Sequence, residues 1–234
     1  MNKKFLVGLI GLAIGFFISF VLTSNYNKSN AGPPASATGT AGAGGVGGGP
    51  NQQAMMGQVQ AVIESARNNP RDARAQFEAA RVFYQIGRTK EAIEYLHKAA
   101  DADPNNLNIA VNLGALSSEV KDYEEAEKWL KRASELDPKD AEIHVELGVT
   151  FIQREPPQPD RAIQEIQLAL GIDPKNGHAL GHLLEAYALK KDSRAAEDTL
   201  KRLKETDPTN ERIAKLEPVI ADLKAGRAVT IPKE

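Results

Sequence analysis

The sequence predicts an all-α fold built from repeated helix pairs, set behind an N-terminal membrane anchor and a flexible tether. Three observations carry that expectation. Prolines recur at Pro70, Pro104, Pro138, Pro174 and Pro208, stepping by 34, 34, 36 and 34 residues, each in a turn-forming stretch such as "DADPNN", "ELDPKD" or "GIDPKN". Alanines and larger apolar residues fall in register with those prolines. The composition also changes along the chain, so the overall 41% hydrophobic and 26% charged content averages three unlike segments.

Residues 1–24 come first. Lys3 and Lys4 precede an apolar run from Phe5 to Leu22. That run is about 18 residues, roughly 27 Å as a helix at ~1.5 Å per residue, against a hydrocarbon core of about 30 Å. A cleavable secretory signal has a shorter apolar stretch of about 7–15 residues and a small-x-small site after it. Here "TSNYNKSN" follows instead, which favours an uncleaved anchor. The chain has no cysteine, so a lipoprotein anchor, disulfides, thiolate nucleophiles and cysteine metal sites are excluded. Lys3 and Lys4 on one side, against Lys28 on the other, place the N-terminus in the cytoplasm. The expected setting is a bacterial inner membrane crossed once, with everything after residue 24 in the periplasm. Gly11 and Gly15 in "GLAIG" have the small-xxx-small spacing that admits a second membrane helix. Residues 25–52 are dense in Gly, Ala, Ser and Pro and cannot bury enough surface to offset chain entropy. A Gly-rich tether of that length spans roughly 30 Å.

Residues 53–225 form the repeat domain. Twelve residues before Pro104, Pro138, Pro174 and Pro208 stand Ala92, Ala126, Ala162 and Ala196. Eight before them stand Leu96, Leu130, Ile166 and Leu200, and five before them Ala99, Ala133, Ala169 and Leu203. Each unit also holds an earlier helical stretch: "RAQFEAARVFYQIG", "LNIAVNLGALSSEV", "AEIHVELGVTFIQ" and "GHALGHLLEAYALK". Small residues at Ala80, Gly114 and Gly148 let the paired helices approach closely. Each proline disfavours continuing the second helix, and the Asn, Asp or Thr after it can cap the next one. A leading helix near 53–67, four pairs and a covering helix near 209–224 are expected, with a tail over 226–234. The third unit is two residues longer, and the surplus falls in "REPPQPD". In the fourth, Leu184 and Leu203 replace small residues, so looser or altered packing is expected there.

This pattern resembles the tetratricopeptide repeat family, whose 34-residue unit is an antiparallel helix pair. The resemblance covers about residues 53–225 and implies a right-handed superhelical solenoid of α-α pairs. In that family first helices line the concave side and ligand segments lie there. Carried over by position, the groove takes Phe77, Arg81, Tyr84 and Gln85 from the first pair and Asn108, Val111, Asn112, Ala115 and Glu119 from the second. The third pair supplies Glu142, Val145, Glu146, Val149 and Ile152, and the fourth His178, His182 and Glu185. The apolar members can instead be contacts between helices. Some family members clamp a partner's terminal carboxylate with Lys and Asn residues, a pattern only Asn112 matches. Glu142 and Glu146 stand where basic residues would be required, so the groove suits an apolar segment carrying some basic residues.

No catalytic constellation emerges, and neither an enzyme nor a cofactor is expected. A net charge of −2 argues against nucleic acid, whose binders need a basic face. The glycines of "GAGGVGGGP" lack the strand, helix and lysine of a phosphate loop. His178, His182 and Glu185, at i, i+4 and i+7, could share a helix face and hold a divalent metal, although no HExxH sequence is present. Trp129 reads as core or inter-repeat packing, and Glu124 and Glu125 near Lys128 as a solvated face. The functional expectation is a membrane-tethered scaffold for envelope proteins. Its architecture is similar to accessory proteins that present apocytochrome during cytochrome c maturation; a metal-binding role, or a subunit docked through its anchor in a larger membrane complex, are the alternatives.

Overall fold

A computed structural model describes residues 50–231. Those residues form ten α-helices and no strand: α1 (Pro50–Asn68), α2 (Ala73–Gln85), α3 (Thr89–Ala102), α4 (Leu107–Glu119), α5 (Tyr123–Leu136), α6 (Ala141–Gln153), α7 (Pro159–Ile172), α8 (Gly177–Lys190), α9 (Ser193–Thr206) and α10 (Glu211–Lys224). The anchor, Gly11 and Gly15, and the tether up to residue 49 lie outside the described residues. Among the described residues no helix is long and apolar enough to cross a membrane. The leading helix starts at Pro50, three residues earlier than expected, because proline suits a first helical position whose N–H has no intrahelical partner.

The prolines act as punctuation at both neighbouring helix ends. Asp103, Asp137, Asp173 and Asp207 end the second helices in extended conformations, their N–H groups donating to the carbonyls of Ala99, Ala133, Ala169 and Leu203. Three residues on, the N–H groups of Asn106, Asp140, Asn176 and Asn210 turn back to those Asp carbonyls, with proline at the second turn position. The same residues then cap the next helix. Asp72, Asn106, Asp140, Asn176 and Asn210 each accept from a backbone N–H in the following turn, at 2.9–3.4 Å. One such cap is worth about 1 kcal/mol.

The turns inside each pair repeat as well. Gly87, Lys121 and Lys191 all adopt left-handed backbone, with φ of 76°, 64° and 61°. The residue after each, Arg88, Asp122 or Asp192, donates its N–H to the carbonyl of Phe83, Ser117 or Tyr187. In the third pair the equivalent bond runs from Gln158 to Phe151, at 2.9 Å, so the two surplus residues are absorbed inside an unbroken closure. The insertion is also pinned sideways. Arg154 reaches Glu127 at 2.7 Å and the Tyr123 carbonyl at 2.8 Å, Arg161 pairs with the same Glu127, and both guanidiniums lie over the Phe151 ring.

The chain divides into two compact units at the step from Asn112 to Leu113, inside α4. In the first, α1, α2 and α3 pack in sequence. Gln76 is buried and satisfies the end of α1, its Nε2 donating to the carbonyls of Ala66 at 2.7 Å and Asn69 at 3.0 Å. Phe83 and Tyr95 stack at 5.0 Å between α2 and α3. In the second unit each helix packs on its chain neighbours, and the first helices α6, α8 and α10 also touch in turn. A Cβ built on Gly114 would lie 2.5 Å from Leu130, and one on Gly148 2.4 Å from Ile166, so these two interfaces require glycine. The registered alanines Ala92, Ala126, Ala162 and Ala196 are fully buried.

In the fourth pair Leu184 and Leu203 are also fully buried, within one continuous core. The packing there is altered by bulk and is not opened. The tail also departs from expectation, since Ile231 packs against that core and Arg227 returns to Asp222 at 2.8 Å.

Candidate functional site

The first-helix positions separate into core and surface once their burial is known. In the first unit Phe77 is buried, Arg81 and Tyr84 are half-buried, and Gln85 is exposed. Arg81 pairs with Glu78 at 2.7 Å, and its Nε is buried without a hydrogen bond. Asn108 and Val111 are half-buried. Asn112 is buried and donates its amide to the Asn108 carbonyl on its own helix, at 2.7 Å.

In the second unit Ala115, Glu142, Glu146, Val149 and His178 are half-buried and Glu119 is exposed, so each has surface to offer. Val145 is 0% exposed, and Ile152 is buried with it in the core. With Phe77 these are corrections to the groove set: their side chains face neighbouring helices and present no contact surface. His182 and Glu185 are also buried, but as members of a polar chain.

That chain crosses α6, α8 and α10. Glu142 Oε1 lies 2.7 Å from His178 Nδ1, and His178 Nε2 lies 3.1 Å from His182 Nε2. His182 Nδ1 and Arg212 Nε each stand 3.6 Å from Glu185 Oε2. Two glycines admit these contacts: a Cβ on Gly181 would lie 3.0 Å from Arg212 Cδ, and one on Gly177 2.9 Å from Asp207. Burial disfavours charge on His178, but its hydrogen bond to Glu142 and the charges of Glu142 and Glu146 outweigh that and raise its pKa. Glu142 is correspondingly lowered: His178 and His182 overcome the cost of its burial. Burial raises Glu185 despite Arg212. On Glu146, burial and the neighbouring Glu142 push the carboxyl up to about 7.

The arrangement corrects the metal reading of His178, His182 and Glu185. Both sides of the His178 ring are engaged, by Glu142 and by His182, and Glu185 faces Arg212. Among the described residues no group of three or more His, Asp or Glu side chains is arranged to hold a metal ion.

Arg212 and the Glu127 clamp were not legible beforehand. Arg212 belongs to the covering helix, outside the repeat phase. Arg154 and Arg161 flank the insertion, and only their pairing with Glu127 one repeat earlier shows their role. His144 likewise joins α6 to α7 through Glu165, at 2.9 Å. Trp129 is half-buried, its indole N–H donating to Glu125 at 2.6 Å beneath Lys128, so it closes over its own helix instead of filling the core.

Comparison with known proteins agrees with this geometry. One tetratricopeptide repeat model matches residues 84–145 and 157–217, and a second matches 58–106 and 119–177. No curated protein matches the chain. Among solved structures, YrrB, described as a TPR protein with an unusual peptide-binding site, is 20% identical, with a TM-score of 0.64 over 72% of this chain and 86% of its own. MamA from Desulfovibrio magneticus RS-1 is 20% identical, at a TM-score of 0.60 over 69% of this chain and 90% of its own. Pseudomonas aeruginosa PilF is 22% identical, at 0.57 over 74% and 82%. These likenesses share the fold. With one family model covering more than half of its length, the chain belongs to the tetratricopeptide repeat family.

Proposed function

We propose that this protein is a membrane-tethered, non-catalytic scaffold that holds segments of other envelope proteins on the first-helix faces of its repeats. The observation that carries this reading is the α6–α8 face. There half-buried Glu142, Glu146, Val149 and His178 mix apolar surface with charge beside a fully packed core. Such a mixture suits an extended or helical peptide better than an enclosed small-molecule site. YrrB, which has this fold, is described as having a peptide-binding site. Tyr84 and Val111 are the corresponding half-buried positions of the first unit.

The membrane part of the reading rests on the apolar run from Phe5 to Leu22 and the Lys3–Lys4 pair before it. The tether then leaves the repeats free to meet partners in the periplasm. The narrower role of presenting apocytochrome rests on the order of anchor, tether and repeats, and the identity of the partner decides it.

The test is in-cell photocrosslinking of the full-length chain from Tyr84 and from Val149, followed by identification of the captured chain. Capture of one defined envelope protein supports the scaffold reading. Capture of nothing from either position contradicts it and moves the search to other faces and to the "GLAIG" stretch.

A further inference from the structure

One carboxylate on the α6–α8 face has no counter-charge. Elsewhere in the second unit carboxylates meet cations or imidazoles: Glu127 meets Arg154 and Arg161, Glu165 meets His144, Glu142 meets His178, and Glu185 faces Arg212. Glu146 stands one turn from Glu142 on α6 and is half-buried. Its backbone carbonyl accepts from Thr150 at 2.9 Å, but its carboxyl group has no ion-pair partner among the described residues. A half-buried carboxylate beside a second one is costly to ionise unless a cation arrives.

We propose that Glu146, with Glu142 beside it, is the seat for a single cationic side chain, an arginine or lysine, on the protein segment that α6 and α8 hold. This inference rests on the scaffold reading and names the chemistry that the partner must bring. Charge complementarity selects the occupant. Within this face the cations His178 and Arg212 are engaged by Glu142 and Glu185, so the unmet charge is negative and lies on α6. Two carboxylates spaced i and i+4 suit a guanidinium, which can hydrogen-bond both in its plane; a lysine can meet them as a point charge. Val149, three residues beyond Glu146 and half-buried, offers apolar surface to the aliphatic stem or to a neighbouring residue of the segment. The carboxyl of Glu146, pushed up to about 7, is partly protonated at neutral pH; an arriving cation ionises it, so binding releases a proton.

The seat can be tested without knowing the partner. The chain has four histidines, His97, His144, His178 and His182, whose labelled imidazole signals report binding in the full-length protein. N-acetylargininamide, titrated to about 50 mM, should move His178 and His182 and leave His97 and His144 in place, and Glu146→Gln should weaken the effect about tenfold or more. N-acetylnorleucinamide at matched ionic strength should move none of them. Equal responses in wild type and Glu146→Gln, an equal effect of norleucinamide, or no movement of His178 and His182 would each overturn the seat. Failure here with Val149 still capturing a defined protein leaves the scaffold reading standing and removes only the seat. Argininamide binding that depends on Glu146, without any capture from Tyr84 or Val149, supports the seat and contradicts the scaffold reading.

Discussion

In the third helix pair Gly148 of α6 lies so near α7 that a methyl group on it would stand 2.4 Å from Ile166, whereas the fourth pair carries Leu184 at the same repeat position and buries it completely. Both pairs end with a fully packed interface. The repeat therefore preserves filled space more strictly than it preserves small residues, and each pair sets its own helix separation to suit what it carries. The two pairs also differ on their outward side. On α6 the half-buried Glu146 and Val149 are open to a partner, while on α8 His182 and Glu185 are drawn into the polar chain that Arg212 covers.

Opposite substitutions sharpen that contrast. Leu184→Ala leaves a cavity in the core and should cost about 2–5 kcal/mol, read by thermal or denaturant unfolding of the full chain. Gly148→Ala adds a methyl where Ile166 and the Ala162 carbonyl leave no room, and should cost about 1–3 kcal/mol. Gly171→Ala, in α7 with open space around its Cβ, should instead be neutral or stabilising by up to about 1 kcal/mol from helix propensity. If Gly148→Ala proves as mild as Gly171→Ala, the close approach of α6 and α7 is wrong. A smaller effect belongs to the intra-pair turns. Lys191→Gly relieves a left-handed residue of its Cβ and should stabilise by up to about 1 kcal/mol, and a loss of stability would contradict the turn geometry.

The polar chain predicts a pH dependence. Glu146 is raised from 4.5 to about 7, so its contribution to stability is fully present below 4.5 and is lost as pH rises through about 7. His178 is raised from 6.5, so its contribution is complete below that value and is lost as pH rises through its folded value. Glu142 is lowered and acts on the acid side, where its contribution is lost as pH falls through its folded value. Melting temperature should therefore decline between about pH 5 and 8, and decline less in Glu146→Gln. Parallel profiles for the two proteins would sink this assignment.

Much of the fold was legible because the prolines mark its period. A proline with an Asp before it and Asn or Asp two residues after it ends one helix and caps the next, so those positions carry their physics locally. The groove was only partly legible. A first helix packs against its own partner and against neighbouring first helices, so apolar residues cover much of its circumference; Phe77, Val145 and Ile152 share the groove's phase yet face the core. Lys121 and Lys191 gave no sign of left-handed backbone, which only Gly87 advertises in sequence. Pairings that bridge a repeat, such as Arg154 and Arg161 with Glu127 or Arg212 with Glu185, depend on side chains meeting across 27 to 34 residues of chain, and no local pattern encodes them.

The most direct measurement compares the two faces of the third pair in the full-length protein. Val149→Asp charges the first-helix face, and Leu168→Asp charges the outer face of α7, where Leu168 is 54% exposed. With both variants folded by circular dichroism, the scaffold account predicts that the protein co-purifying with wild type is lost from Val149→Asp and retained by Leu168→Asp. The reverse pattern would contradict it and place the partner on the second-helix side.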